Sequence, residues 1–290
     1  MKQVEVYLVD AFTANGAGGN PAGVVLNAEC LSEQDKQYIA KVVGYSETAF
    51  VSRDDEVDFQ LSFFTPTEEV DFCGHATLSA FTVMCQRGVL SAGQYTQRTK
   101  AGLLGVMIDA DGYVVMEQKL PSYLGQVSYE DVSEFMGIGA SILASTQLPA
   151  EMVSTGLADI LVAVPHGYLD KIKINEMRLS EFCKKHKLIG AHVFELCGPN
   201  SEYTASCRNF APLVGIPEES ATGSSNGALA CYLSKHLKNI DTSEFTFEQG
   251  RAMGCTSRVT ASVTLCNEQV TQVKVGGLAH EFDVKKVIVA

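Results

Sequence analysis

Short segments in which apolar and polar side chains alternate recur along the chain. Residues 57–63 read Val-Asp-Phe-Gln-Leu-Ser-Phe, so every second side chain is apolar. A period of two places these side chains on one face of an extended segment and predicts a strand with one buried face. Further strands are predicted at residues 4–9, 153–155, 160–164, 193–196, 259–265, 270–275 and 284–289.

Helices are fewer, and their starts carry clear signals. Ser32 is followed three residues later by Asp35, which is the spacing of a capping box and predicts a helix that ends near Gly44. A second helix is predicted from about residue 76 to residue 88, with an apolar face, and a third begins after Ser224. The pattern therefore predicts an α+β protein in which largely antiparallel sheets curl around apolar helices.

The chain contains an internal repeat. Residues 63–77 return in altered form as residues 209–225, and Leu31-Ser32-Glu33 reappears as Leu179-Ser180-Glu181. Such a long period indicates one unit copied once, so we expect two pseudo-symmetric domains that face each other across a cleft. The predicted boundaries are 1–118 and 119–279, and residues 280–290 are a candidate to return to the first domain.

Composition narrows the possible partners. The 290 residues carry a net charge of −12, which argues against nucleic acid and anionic membranes because both require a positive surface. No apolar run is long enough to span a bilayer, and no signal-peptide pattern opens the chain, so we expect a cytoplasmic protein. Nine cysteines are scattered without CxxC or clustered Cys/His spacing, so neither a metal site nor a disulfide framework is predicted.

Both copies of the repeat place a glycine immediately before a predicted helix. Gly74 and Gly223 lie 149 residues apart in Cys-Gly-His-Ala and Thr-Gly-Ser-Ser. The first amides of a helix and the helix dipole bind anions, and glycine lets a ligand approach the backbone. Glycine at such a place commonly only ends a loop. Its recurrence in both halves favours a pair of pockets for a small carboxylic acid.

Glu47 stands where the first helix gives way to an apolar strand. Partial burial there raises the pKa of a carboxyl group, which can then take and return a proton near neutral pH, although an exposed Glu at a strand end is an alternative. The second half has Gly190-Ala191-His192 in the matching stretch and Thr222 in place of Cys73. A racemase with two opposed bases needs a matched pair, so the sequence favours a single base.

Seven motifs together resemble the phenazine-biosynthesis-like (PhzF-like) isomerase family, in order and over nearly the whole chain. They are Asn20-Pro21-Ala22-Gly23-Val24, Ser46-Glu47-Thr48-Ala49-Phe50, Phe64-Thr65-Pro66-Thr67-Glu68-Glu69-Val70, Cys73-Gly74-His75-Ala76-Thr77, Arg208-Asn209-Phe210-Ala211-Pro212, Ala221-Thr222-Gly223-Ser224 and Glu248-Gln249-Gly250. The resemblance implies the diaminopimelate-epimerase-like fold, with a barrel-like sheet around a central helix in each domain. It also implies that Glu47 is a general acid/base that shuttles a proton in an allylic isomerisation.

The resemblance implies roles for further residues. His75, Glu219 and Ser224 are expected to line the substrate, and the amides around Gly74 and Gly223 to bind its carboxylate. It further implies that the reaction needs no metal or organic cofactor and that the protein is a homodimer. The expected partner is a small carboxylate-bearing metabolite.

Two departures from the family pattern bear on the substrate. Glu219-Ser220 stands where the family usually has Asp-Pro, and Cys255 follows a glycine where the family commonly has Arg. Cys73 and Thr222 are secondary candidates, because related epimerases use a thiol at the position of Cys73 and a second thiol in the other half. The alternatives are therefore an amino-acid epimerase that uses Cys73, or a small-acid-binding protein without turnover.

Overall fold

A computed structural model describes residues 2–237 and 244–289. Strands dominate the secondary structure. They are β1 Lys2–Ala11, β2 Asn20–Val25, β3 Glu47–Ser52, β4 Phe59–Phe64, β5 Glu69–Val70, β6 Gly93–Thr99, β7 Gly102–Ile108, β8 Val114–Glu117, β9 Ser122–Val127, β10 Ala150–Ser154, β11 Ala158–Ala163, β12 Gly190–Leu196, β13 Ala205–Ala211, β14 Ile216–Glu219, β15 Glu244–Gln249, β16 Ser257–Cys266, β17 Gln269–Gly277 and β18 Ala279–Val289.

The helices are shorter and fewer, as the sequence predicts. They are α1 Glu33–Val43, α2 Gly74–Gln86, α3 Tyr129–Met136, α4 Ala140–Ala144, α5 Glu176–His186 and α6 Gly223–His236. Within the described residues, none of these helices combines the length and the hydropathy needed to cross a membrane. The mixture of many strands and few helices confirms the predicted α+β class.

The chain divides into two compact units, and the first consists of residues 1–117 with 276–290. Its strands pair in the order β18, β1, β2, β3, β4, β6, β7, β8, and β5 forms a short hairpin with β4. The β2–β3 and β4–β6 pairs are parallel, and the other pairs are antiparallel. Strand β18 therefore adds the end of the chain to the first strand.

The second unit, residues 118–275, repeats this arrangement. Its strands pair in the order β9, β10, β11, β12, β13, β15, β16, and β14 pairs with β13. The β11–β12 and β13–β15 pairs are parallel, at the places that β2–β3 and β4–β6 occupy in the first unit. The two units therefore share strand order and strand direction.

A single helix lies at the centre of each unit. Every residue of α2 from His75 to Met84 is buried, and α2 contacts β1, β2, β3, β8 and β18, so the sheet wraps around it. In α6 the residues from Ser225 to Leu233 are buried, and the helix contacts β10, β11, β15 and β16. A helix that is buried on all sides needs apolar or small residues all around, and the buried stretches of both helices consist mainly of such residues. Each fully buried large side chain, such as Phe81, contributes about 1.5–3 kcal/mol.

The helix ends show which sequence signals were correct. Ser32 and Asp35 form the predicted capping box, and Gly44 ends α1 at φ 81°. The sequence match of residues 31–33 with residues 179–181 does not align the two helix starts. Residues 31–33 lie at the start of α1, whereas residues 179–181 lie inside α5, whose N-cap is Asn175. Helix α3 was not predicted, although Ser128 caps it through the amide of Asp131.

Candidate active site

The candidate base Glu47 is the first residue of β3. The side chain is 13% exposed, so it is partly buried as the sequence predicts. Its Oε2 atom lies 3.3 Å from Nε2 of His75. This oxygen is buried and makes no hydrogen bond of acceptable geometry to any described residue. A buried carboxylate oxygen without such a bond is unusual in a folded protein and indicates a place for a ligand or a proton.

His75 connects Glu47 to three other polar side chains. Ser46 Oγ lies 3.4 Å from Nε2, and Asn20 Nδ2 and Cys73 Sγ both lie 3.4 Å from Nδ1. The amide nitrogen of Asn20 can only donate, so Nδ1 accepts in this arrangement and the neutral ring carries its hydrogen on Nε2. That hydrogen points toward Ser46 Oγ, and Glu47 Oε2 lies 3.3 Å from the same nitrogen outside hydrogen-bonding geometry.

Glu47, Cys73 and His75 also have the donor types of a metal site. One ligand atom from each lies within 4.8 Å of the other two. The carboxylate oxygen approaches Nε2, however, whereas the thiol sulfur lies nearer Nδ1, at 3.4 Å, than Nε2, at 3.9 Å. One ring nitrogen binds one ion at about 2.0–2.1 Å. The geometry therefore fits a row of hydrogen-bonding groups better than three ligands around one ion.

The N-termini of α2 and α6 differ from those of the other long helices. Ser32, Ser128 and Asn175 each accept a hydrogen bond from a first-turn amide of α1, α3 and α5. Cys73 and Thr222, the N-cap residues of α2 and α6, make no such side-chain bond. A helix start that lacks a side-chain cap presents first-turn amides and a partial positive charge, which suit an anionic ligand.

Gly74 and Gly223 are the first residues of α2 and α6, whereas the sequence predicted that each glycine would immediately precede its helix. Helix α2 thus begins about two residues earlier than predicted. An ideal Cβ atom on Gly74 would find its nearest protein neighbour at 4.0 Å, on Phe72, and Gly74 has no positive φ. Neither packing nor backbone conformation among the described residues requires glycine there. Close approach of a ligand to the backbone would require it.

The candidate residues of the second unit form their own group. Glu219 ends β14, and its Oε2 accepts a hydrogen bond of 2.5 Å from the hydroxyl of Thr222. Ser224 is the second residue of α6, and its carbonyl accepts a hydrogen bond from Thr155 Oγ1 at 2.9 Å. Glu219, Thr222, Gly223 and Ser224 therefore lie together at the start of α6.

A buried polar cluster lies under the start of α6. Ser225 donates to Asp159, and the amide of Asn209 contacts Ser225 Oγ at 3.1 Å and His192 Nδ1 at 3.3 Å. Burial raises the pKa of Asp159 and lowers the pKa of His192 to about 3. Both groups thus favour their neutral forms, which suits a site without solvent.

The strand registers identify the counterpart of Glu47 in the second unit. Glu47 pairs with Ala22 at the start of β3, and Gly190 pairs with Asp159 at the start of β12. An ideal Cβ atom on Gly190 would lie 2.1 Å from the carbonyl oxygen of Phe210. The second unit therefore has no room for a side chain at the position of Glu47, in agreement with the asymmetry read from the sequence.

Three polar residues of this region were not recognised as site residues in the sequence. Asn20 and Ser46 contact His75, and Gln249 bonds to the segment from Glu219 to Thr222. All three occur within the motifs that resemble the PhzF-like family, so the motifs located them without indicating what they contact.

Two repeated α+β units, each with a buried central helix, define the class of proteins with the diaminopimelate-epimerase-like fold. The comparisons agree: a probable proline racemase from Agrobacterium radiobacter, 11% identical, has a TM-score of 0.69 over 99% of this chain and 93% of its own. At that identity the likeness concerns the fold alone.

Matches of higher sequence identity show the family to which the chain belongs. The profile of the family described as phenazine biosynthesis-like protein (PhzC-PhzF) matches residues 9–283. An uncharacterized isomerase from Clostridium acetobutylicum is 33% identical over 290 residues and covers 96% of each chain. The crystal structure of a PhzF-family phenazine biosynthesis protein from Bacillus anthracis, 29% identical, has a TM-score of 0.89 over 100% of both chains. The chain belongs to the phenazine biosynthesis-like (PhzF) family.

Proposed function

We propose that this protein is an isomerase that moves a proton between two carbons of a small carboxylate-bearing substrate, with Glu47 as the only base. The observation that carries the proposal is the buried Oε2 atom of Glu47, which makes no hydrogen bond among the described residues and lies 3.3 Å from Nε2 of His75, in the first turn of α2. Relatives that are named isomerases, such as the one from Clostridium acetobutylicum, support the reaction class.

In the proposed reaction the carboxylate of Glu47 removes a proton from a substrate carbon. The electrons of the broken C–H bond shift into the neighbouring unsaturated system, and the proton moves to the carboxylate oxygen. The hydrogen on the carboxyl oxygen exchanges with water, and the O–H bond then breaks as a new C–H bond forms at another carbon, so Glu47 ends as it began. No step of this cycle requires a metal ion or an organic cofactor.

The amides at the starts of α2 and α6, near Gly74 and Gly223, are proposed to bind the substrate carboxylate. His75, Glu219 and Ser224 are proposed to orient the substrate. Pre-organised backbone donors would also stabilise negative charge that develops as the proton leaves.

A homodimer is proposed as the assembled form and is tested by light scattering of the purified protein.

A two-base epimerase that uses Cys73 is the rival reaction. Cys73 lies beside His75, but its counterpart Thr222 carries a hydroxyl that donates to Glu219, and the counterpart of Glu47 is Gly190. Neither position of the second unit offers an obvious second base. A single-base proton shift therefore fits the two units better than an inversion between matched bases.

The proposal is tested in two steps with the wild-type protein. Small carboxylic acids are first screened for an increase in the thermal unfolding midpoint, because a ligand that binds only the folded state stabilises it. Each stabilising acid is then incubated with the protein in D2O and followed by NMR. Deuterium at a substrate carbon together with a new isomer is the expected result. Binding without exchange at any carbon would instead identify a small-acid-binding protein.

A further inference from the structure

Gln249 is a fully buried amide whose hydrogen-bonding positions are all used. Its Oε1 accepts from the amide of Thr222 at 3.2 Å and from Nδ2 of Asn226 at 2.8 Å. Its Nε2 donates to the carbonyl of Glu219 at 2.8 Å and to Oγ1 of Thr222 at 3.1 Å. A side-chain amide offers two donors and two acceptor positions, so this set of bonds is complete. Gln249 thereby joins the end of β14 to the start of α6.

The bond from Gln249 to Thr222 determines where the hydroxyl hydrogen of Thr222 points. An amide nitrogen can only donate, so Oγ1 of Thr222 must be the acceptor of that bond. The single hydroxyl hydrogen then remains for the bond to Oε2 of Glu219, at 2.5 Å. The order of donation is therefore Gln249 to Thr222 to Glu219. Because carboxylate is the better acceptor, this order favours the ionised form of Glu219.

Thr222 is the N-cap residue of α6, where a threonine hydroxyl ordinarily accepts a hydrogen bond from a first-turn amide. Here no side-chain cap bond is made, and the hydroxyl serves Glu219 instead. We call the chain of hydrogen bonds from Gln249 through Thr222 to Glu219 the relay. The relay accounts for two features: the direction of the Glu219 side chain and the absence of a side-chain cap at the start of α6.

We propose that Gln249 is a positioning residue that acts through the Thr222 hydroxyl to hold Glu219 as an ionised hydrogen-bond acceptor beside the start of α6. The role of Glu219 toward a substrate rests on the proposed function, whereas the relay itself is a property of the protein without ligand. A purely structural Gln249 would stabilise the second unit without influencing the titration of Glu219.

The test is a 13C NMR titration of the glutamate carboxyl carbons in the full-length protein without ligand. The Glu219 signal is assigned by its loss in Glu219→Gln. Replacement of Thr222 by Val removes the hydroxyl and keeps the side-chain shape, so the pKa of Glu219 is expected to rise by about one unit, the effect of one hydrogen bond to a charged group. Thr222→Ser restores the hydroxyl and is expected to restore the wild-type pKa.

A double-mutant cycle tests whether Gln249 acts through Thr222. Gln249→Met removes the donor and leaves the hydroxyl undirected, so the pKa of Glu219 is expected to rise by part of the Thr222→Val shift. In the Thr222→Val background, Gln249→Met is expected to add nothing. Gln97, the fully buried glutamine of the first unit, provides the matched control, and Gln97→Met should leave the Glu219 titration unchanged.

Two results of these titrations would overturn the relay. An unchanged pKa of Glu219 in folded Thr222→Val, or equal shifts from Gln249→Met with and without the Thr222 hydroxyl, would overturn the relay. Folding of each variant is checked by its thermal unfolding transition. Because no substrate takes part, failure of this test would leave the proton-shift proposal standing, and failure of the proton-shift test would leave the relay standing.

Discussion

Gly190→Ala tests whether the second unit excludes a side chain at the counterpart of Glu47. The added Cβ would lie 2.1 Å from the carbonyl oxygen of Phe210 and 3.2 Å from Cα of Ala211, both on the backbone of the neighbouring strand β13. An unstrained contact of this kind requires a separation larger by roughly 1 Å or more. Since the obstacle is backbone, strands β12 and β13 must move apart locally.

The cost can be worked out from its parts. Overpacking in a tight interior costs about 1–3 kcal/mol, and each backbone hydrogen bond weakened by the strand shift adds about 1 kcal/mol. Against this, replacing glycine reduces the freedom of the unfolded chain and returns about 0.4–1 kcal/mol. With about two such bonds weakened, the central values give an expected net destabilisation of about 3 kcal/mol. For a unit of this size that corresponds to a fall of roughly 6–12 °C in the unfolding midpoint.

Differential scanning calorimetry is the appropriate assay, because the two units can unfold in separate transitions. The matched control is Gly198→Ala, since an ideal Cβ on Gly198 finds no atom within 4 Å and the residue is exposed. The control is expected to unfold close to the wild-type temperature. Equal midpoints for Gly190→Ala and Gly198→Ala would refute the argument that this position is closed to a second base.

Two further predictions concern the titratable and thiol groups. The pKa of His192 is lowered by burial to about 3, below its unfolded value, so its neutral form contributes stability that is complete above about pH 6.5 and is lost as the pH falls toward 3. Between pH 7.5 and pH 5, urea unfolding should show wild type losing about 2 kcal/mol more than His192→Gln, and equal losses would contradict this. Cys73→Ser should keep deuterium exchange within about threefold of wild type under a single-base mechanism, whereas abolished exchange would favour the thiol-dependent epimerase.

The sequence predicted those parts of the fold that depend on local pattern. The alternation at residues 57–63 marks β4, and the Ser32–Asp35 box marks α1, because both signals arise from neighbouring residues. Helix α3 carries a comparable signal, with Ser128 at the N-cap, Val132 and Phe135 on the buried face and Gly137 at the C-cap, and could have been predicted.

The candidate site was predicted less completely than the fold. Glu47 could be predicted because it lies where a predicted helix gives way to a predicted strand, and Gly74 because it lies in the repeated motif. The contacts among the site residues could not be predicted, since Asn20 and His75 are 55 residues apart in the sequence and Gln249 and Thr222 are 27 apart. Such pairs depend on strand register and on the course of loops, which no local periodicity specifies.

The central claim is that one carboxyl group takes and returns the proton. The most direct measurement is the rate of deuterium incorporation into a stabilising acid by wild type, by Glu47→Gln and by Glu68→Gln, in which an exposed glutamate of the same unit is changed as the control. We predict that Glu47→Gln lowers this rate by at least about 100-fold while thermal stabilisation by the acid persists, and that Glu68→Gln behaves as wild type. Exchange at the wild-type rate in Glu47→Gln would contradict the account.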